Sequence, residues 1–196
     1  MHAGKIPAVI TLHTIGVRVY YEDTDAGGIV YYANYLRFFE RARTDWLRAA
    51  GVSHQEMAQA EGVNLVVRDC AVQYLRPALL DDLLAIEVGV ADPAADIGRA
   101  SLRLTQRALL AERPGSDGMT VGTARGSASG PETVLATGVV RVACMERRSG
   151  RPVALPQRVM RLIKAGVPGQ GSGGNPGSVQ LQASASSLQD GTAQQQ

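Results

Sequence analysis

Asp23 and Asp25 stand one residue apart in YYEDTDAGGIVYYANY, residues 20–35, and two glycines follow at once. Alternating carboxylates before a glycine resemble a calcium loop, in which oxygen ligands come from positions one, three, five and twelve and a glycine turns the chain at six. Asp23, Asp25 and Gly28 fill positions one, three and six, but position five is Gly27 and position twelve, where a bidentate acid belongs, is Asn34. Two oxygen donors are missing, and the alternating run VRVYYE precedes the loop where such a site needs a helix. No metal is expected here, nor at His2, His13 or His54, none of which has a second ligand at metal spacing.

Two readings of the turn remain. In the first it is structural: an aspartate caps the helix that follows and the glycines supply positive φ. In the second, a strand ending at a helix start brings its last carboxylate close to N–H groups that have no partner inside the helix. Such groups can polarise a carbonyl oxygen, so a carboxylate nucleophile or base beside them is an arrangement for acyl transfer.

The elements that must position this turn follow from periodicity. TIGVRVYYE, residues 14–22, alternates Val17 and Val19 with polar neighbours, the period of a half-buried strand. From about Ala33, Tyr35, Phe39, Ala42, Trp46 and Ala49 recur at steps of four and three, which predicts one face of a core helix ending at Gly51. A shorter helix over 53–61 starts with Ser53 as cap and Glu56 as its capping-box partner. Strands are predicted over 63–78, 82–92, 98–111 and 134–146 from β-branched content and alternation. One long helix followed by successive strands predicts an α+β fold, an antiparallel sheet packed by that helix. Within 98–111, Arg99, Ser101, Arg103, Thr105 and Arg107 share a face, read first as a solvated sheet face and alternatively as a phosphate-binding edge.

Composition narrows the class. With 196 residues and 45% apolar content the chain can bury a real core, and a net charge of +2 with no dense basic run argues against a nucleic-acid partner. Cys70 and Cys144 lie far apart in apolar runs and are expected as reduced core residues. No secretion signal and no stretch of membrane-spanning length is visible, so a cytoplasmic protein is expected. The expected organisation is an N-terminal extension over 1–13 and a folded domain over 14–165 with a flexible insertion at about 112–133. A disordered Gly/Ser/Gln-rich tail is expected over 166–196.

The run YYEDTDAGGIVYYANYLRFFERARTDWLRAAG resembles the signature of the hotdog-fold acyl-CoA thioesterases of the 4-hydroxybenzoyl-CoA thioesterase type. It is most similar to the small bacterial branch associated with the Tol-Pal cell-envelope system. The resemblance continues through LVVRDCAVQYLRPALLDDLL and SLRLTQR to ALP at 154–156. It implies an antiparallel sheet wrapped around one long central helix, with active sites completed in a homodimer or homotetramer and no cofactor. It further implies that Asp25 is the catalytic carboxylate, either as nucleophile or as general base. Tyr32 would offer its backbone N–H to the thioester carbonyl, and Gly28 would let the chain approach the thioester. Many members of the Tol-Pal branch carry His where Tyr32 stands, whereas the hydroxybenzoyl branch carries Tyr. Arg99 and Arg151 match positions of basic contacts to CoA phosphates, although each is also an ordinary surface arginine. Glu40 and Tyr35 are candidates for the acyl pocket, although for Glu40 a cap or an ion pair with Arg41 or Arg43 is the first reading. Trp46 and Phe39 are core residues first and pocket wall second. The alternative is a non-catalytic module of the same fold that holds an acyl group or docks on an acyl carrier or an envelope-associated protein.

Overall fold

The computed structural model describes residues 8–114 and 132–167. Strand β1 (Ile10–Arg18) leads through the Asp-Gly turn into helix α1 (Asn34–Ala49), and a short helical turn α2 (His54–Glu56) widens into a π-turn at Met57–Glu61. Strands β2 (Val63–Tyr74) and β3 (Leu83–Val90) come next, then a short helix α3 (Pro93–Asp96), strands β4 (Ser101–Glu112) and β5 (Val134–Glu146), and helix α4 (Gln157–Gly166). The strands form one antiparallel sheet in the order β1-β3-β4-β5-β2, so β1 and β2 are its edges. This is the helix-on-sheet α+β layout that the resemblance implies.

Helix α1 lies on the sheet because one side of it is apolar. Tyr35, Phe38, Phe39, Ala42, Trp46 and Leu47 are buried, and a buried side chain of the size of Phe or Leu contributes about 1.5–3 kcal/mol. Gly138 on β5 permits the close approach, since a Cβ there would come within 2.8 Å of the Phe39 ring. A polar link crosses the same interface: buried Gln106 donates to the Phe39 carbonyl at 2.9 Å and accepts from Arg43 at 2.6 Å. The helix stops at Gly51, whose φ of +70° suits glycine and whose N–H returns to the Arg48 carbonyl.

Several expectations change. Strand β1 begins at Ile10, inside the segment read as an N-terminal extension, because residues 10–18 pair with β3. Ala49 is exposed, since the helix has left the sheet by its last turn, while Phe38 and Leu47 widen the apolar face. Ser53 caps α2 as expected, accepting from the Glu56 N–H. Helix α4 was not foreseen; Val159 and Ile163, four residues apart, enter the core and the helix lies against β1. Cys144 is buried, but Cys70 is exposed because β2 is an edge strand, with one flank unpaired among the described residues. Arg99 precedes β4 instead of heading its polar face, and Thr105 of that face is buried. Arg103 pairs with Asp96 at 3.6 Å and Arg107 with Glu87 at 2.7 Å, so the row forms an ion-paired and partly buried face where the first reading expects a solvated one. Most of the expected insertion and nearly all of the expected tail lie outside the described residues.

Candidate active site

The turn between β1 and α1 is held from within by Asp23. Its carboxylate accepts from the Tyr20 N–H at 3.0 Å, and its carbonyl accepts from the Tyr31 N–H at 2.8 Å and the Asn34 amide at 2.9 Å. The side chain is buried, which suits a carboxylate with an oxygen hydrogen-bonded to backbone. Asn34 thus serves the turn from the first residue of the helix. The turn is backed by the segment after β2: Ile29 bridges to Leu79, and the Val30 N–H donates to the Ala78 carbonyl at 2.9 Å. Fully buried Asp82 fixes that segment, accepting from the Leu79 N–H at 2.8 Å and from Arg113 at 2.6 Å.

Asp25 points the other way. It is exposed, and one carboxylate oxygen accepts from the Gly27 N–H at 2.8 Å. Its backbone closes a tight loop, with the Gly28 N–H donating to the Asp25 carbonyl and the Asp25 N–H to Ile29, each at 2.9 Å. Gly28 has φ of +72°, a conformation that glycine adopts at little cost. Neither aspartate caps α1, whose N-terminal residue Ala33 has helical dihedrals and no side-chain cap, whereas the positive φ of Gly28 is as the structural reading expects. Among the described residues the Tyr32 and Ala33 N–H groups have no acceptor. An exposed carboxylate and free helix-entry donors therefore occupy one short segment, a combination suited to attack on a carbonyl and stabilisation of the resulting oxyanion.

Tyrosines surround these groups. The rings of Tyr31 and Tyr32 lie 4.6 Å apart, Tyr32 and Tyr74 meet edge-on at 6.2 Å, and the Tyr74 hydroxyl donates to the Tyr32 carbonyl at 3.1 Å. The Tyr31 phenol is held above its usual value first by its interaction with Tyr32 and, more weakly, by the negative charge of Asp25. Burial raises Tyr74, with Tyr32 adding to it, and burial likewise raises Tyr35. All three phenols are therefore neutral near pH 7.

The remaining candidates fall into different places. Glu40 is exposed and accepts from the Thr44 hydroxyl at 2.6 Å. With Thr44, His54, Leu65 and Val67 it lines a cavity of about 140 Å³ between α1 and the sheet. Tyr35 is buried between Phe38 and Tyr74, with ring centroids 6.1 and 5.6 Å away, and does not line that cavity. Arg99 and Arg151 are exposed at the end of the sheet where β4 begins and β5 finishes; the Asp25 turn packs near the end of β2 and the start of β3. Within one chain they are not brought to Asp25. Tyr74 and Asp82 went unrecognised from sequence, because their partners lie across the fold and no local spacing marks them. Among the described residues no group of three or more His, Cys, Asp or Glu is arranged to hold a metal ion, and no helix is long and apolar enough to cross a membrane.

Comparison with known proteins bears on the same region. Residues 19–163 match the model of the thioesterase-like superfamily. The acyl-CoA thioesterase YbgC of Haemophilus influenzae is 36% identical over 143 residues, covering 73% of this chain and 88% of that protein. The acyl-CoA thioester hydrolase YbgC of Escherichia coli O157:H7 is 39% identical over 154 residues, covering 79% and 97%. Among solved structures, a probable thioesterase from Bartonella henselae superposes with a TM-score of 0.58 at 31% identity, covering 76% of this chain and all (100%) of that one. A 4-hydroxybenzoyl CoA thioesterase mutant complexed with 4-hydroxybenzoyl CoA gives a TM-score of 0.61 over 76% of this chain and 96% of its own. At 18% identity that likeness is one of fold alone.

Proposed function

The chain belongs to the thioesterase-like superfamily, and from that premise we propose that it hydrolyses an acyl-CoA thioester to a free carboxylic acid and CoA, with Asp25 as the reacting carboxylate. Thioester hydrolysis is what its YbgC relatives are named for. The observation that supports Asp25 is its exposed carboxylate on the turn that delivers the unpartnered Tyr32 and Ala33 N–H groups.

Two routes satisfy this chemistry. In one, an Asp25 oxygen bonds to the thioester carbon, the C–S bond breaks and CoA leaves as thiolate; water then cleaves the mixed anhydride and restores the carboxylate. In the other, Asp25 takes a proton from a water molecule whose oxygen attacks the same carbon, the C–S bond breaks, and the proton passes from Asp25 to the departing CoA thiolate. Both pass through negative charge on the thioester oxygen, which the Tyr32 N–H would receive with the aid of the positive end of the α1 dipole. Gly28 keeps side-chain bulk off the rim that the thioester must approach.

Release of CoA thiol by wild type and Asp25→Asn, across short, long and aromatic acyl-CoAs, tests the assignment. Asn preserves shape and removes charge; equal rates would take Asp25 out of the mechanism. A second reading, a non-catalytic acyl-binding module, is motivated by Tyr32 in place of the histidine of many relatives, since imidazole is the side chain that carries protons near pH 7. Saturable acyl-CoA binding by wild type with no turnover over the same panel would favour it.

The active unit is proposed to contain at least two chains. Strand β2, an unpaired edge of 12 residues among the described ones, has Val67 52% and Tyr74 48% exposed with Leu75 46% exposed just beyond it, a surface suited to pairing with a second copy. Antiparallel pairing of β2 with itself reverses the sheet ends. Arg151, whose carbonyl accepts from Glu146 opposite the first residue of β2, would then lie on the side of the partner's Asp25 turn, as would Arg99. In that arrangement the two arginines serve the CoA phosphates of the neighbouring site, and the Glu40 cavity, which reaches Val67, receives acyl groups at the seam. Light scattering that finds a fully active monomer at micromolar concentration would exclude this. A cytoplasmic location and a link to the Tol-Pal envelope system are proposed on kinship; activity confined to the membrane fraction would contradict the first, and failure to co-purify with any envelope protein the second.

A further inference from the structure

We infer that Tyr74 is a positioning residue for the oxyanion donors at the start of α1, its hydroxyl holding the Tyr32 carbonyl and with it the plane of the Tyr32–Ala33 peptide. The inference rests on the reading of Asp25 and Tyr32 given above. Tyr74 ends β2 and is itself rigidly placed: it pairs with Ala136 in the β2–β5 ladder, and the next two residues, Leu75 and Arg76, both donate to the Leu135 carbonyl at 2.8 and 3.0 Å. From that anchor its hydroxyl reaches the Tyr32 carbonyl, 42 positions away in sequence, at 3.1 Å. Its ring lies edge-on to Tyr32 and tilted against buried Tyr35, so the side chain touches the helix entry on two sides.

The consequence follows from peptide geometry. A trans peptide directs its C=O and N–H to opposite sides, so pinning the Tyr32 carbonyl toward Tyr74 turns the Ala33 N–H away from it. Pinning also limits rotation at Tyr32, whose own N–H precedes the fixed plane. The other backbone restraints on this entry are the Tyr31 N–H to Asp23, the Asn34 N–H to Tyr31 and the Leu36 N–H to Ala33, at 2.8, 2.9 and 3.1 Å. No other hydrogen bond among the described residues holds the Tyr32–Ala33 plane. An uncapped helix start needs such a restraint if its donors are to be aimed before substrate arrives, because donors that must reorient during reaction stabilise an oxyanion less. The phenol is neutral near pH 7, so the donor is present throughout the working range.

Tyr74→Phe removes the hydroxyl and keeps the ring. The expected result is a kcat lowered about tenfold, with KM within about twofold of wild type and an unchanged melting temperature, because the hydroxyl acts on transition-state charge and not on ground-state binding. A kcat within twofold of wild type, or a loss confined to KM, would overturn the inference. Amide exchange gives an independent reading: the Tyr32 and Ala33 amides should exchange faster in Tyr74→Phe while β2 amides do not, and uniform exchange across both segments would also overturn it. Running Asp25→Asn beside it separates the two claims. Activity retained in Asp25→Asn overturns the site itself, whereas activity lost there but intact in Tyr74→Phe overturns only the role of Tyr74.

Discussion

The turn before α1 has an inner and an outer layer that use the same residue types for opposite ends. Asp23 and Asp25 are two positions apart, yet Asp23 is buried with its oxygens committed to Tyr20, Tyr31 and Asn34, while Asp25 is exposed with a carboxylate tied, among the described residues, only to the Gly27 N–H. Tyr35 and Tyr32 divide in the same way, one buried against Phe38 and the other 58% exposed. The inner set spends its hydrogen-bonding capacity on fold; the outer set is left free because the inner set already holds the chain. An exposed carboxylate with spare lone pairs is held in place on this short turn by a second group that supplies the rigidity.

The largest expected effect comes from breaking the outer member. Asp25→Asn should reduce kcat by at least roughly a hundredfold, the scale of losing a nucleophile, base or oxyanion donor. Its melting temperature should stay within about 2 °C of wild type, since an exposed polar exchange costs little. Asp23→Ala should do the reverse: it leaves the Tyr20 N–H without its acceptor and costs about 2 kcal/mol, or roughly 4–8 °C in melting temperature for a domain of this size. Its activity per folded molecule should fall far less than that of Asp25→Asn. Thermal unfolding and thiol release measured on both variants decide the matter, and a crossed result, with Asp23→Ala stable or Asp25→Asn unfolded, would abolish the division into layers.

The outer layer was the more legible in sequence. The D-x-D-x-x-G spacing, the switch from the period of Val17 and Val19 to that of Tyr35, Phe39, Ala42 and Trp46, and the family resemblance all bear on it directly. The four later strands and the end of α1 at Gly51 were readable for the same reason, since alternation and turn chemistry are local signals. What escaped was long-range. Tyr74 reaches a carbonyl 42 residues upstream and Arg113 a carboxylate 31 residues upstream, and no periodicity encodes such pairings. Helix α4 has too few turns to outweigh its polar residues in a window, and the exposure of Cys70 depends on β2 being an edge, which is a property of the whole sheet.

Gly28 joins the two layers, and its substitution probes how tightly they are coupled. A Cβ at this position meets nothing within 4 Å, so any cost is backbone strain at φ of +72° and not collision. Gly28→Ala should lose about 1 kcal/mol and Gly28→Asn less, because Asn tolerates the left-handed region better. If the turn relays that strain to Asp25, activity should follow the same order, with Ala lower than Asn; equal activities at unequal stabilities would show the layers to be uncoupled.

The smallest effect concerns the inner phenol and appears only in alkali. Burial, partly offset by the Ala78 backbone, raises Tyr35 above its ordinary value of 10.0. The unfolded chain therefore gives up this proton first, and the folded state holds more protons above pH 10, so stability falls as pH rises through the interval between the two values. Below pH 9 the term is fully present and wild type should differ from Tyr35→Phe by no more than about 1 kcal/mol. As pH climbs toward 11 wild type should lose stability relative to Tyr35→Phe, which has no proton to release there. Urea unfolding of wild type and Tyr35→Phe at pH 8 and pH 11 measures this; parallel curves would mean that the inner phenol is open to water in the folded state.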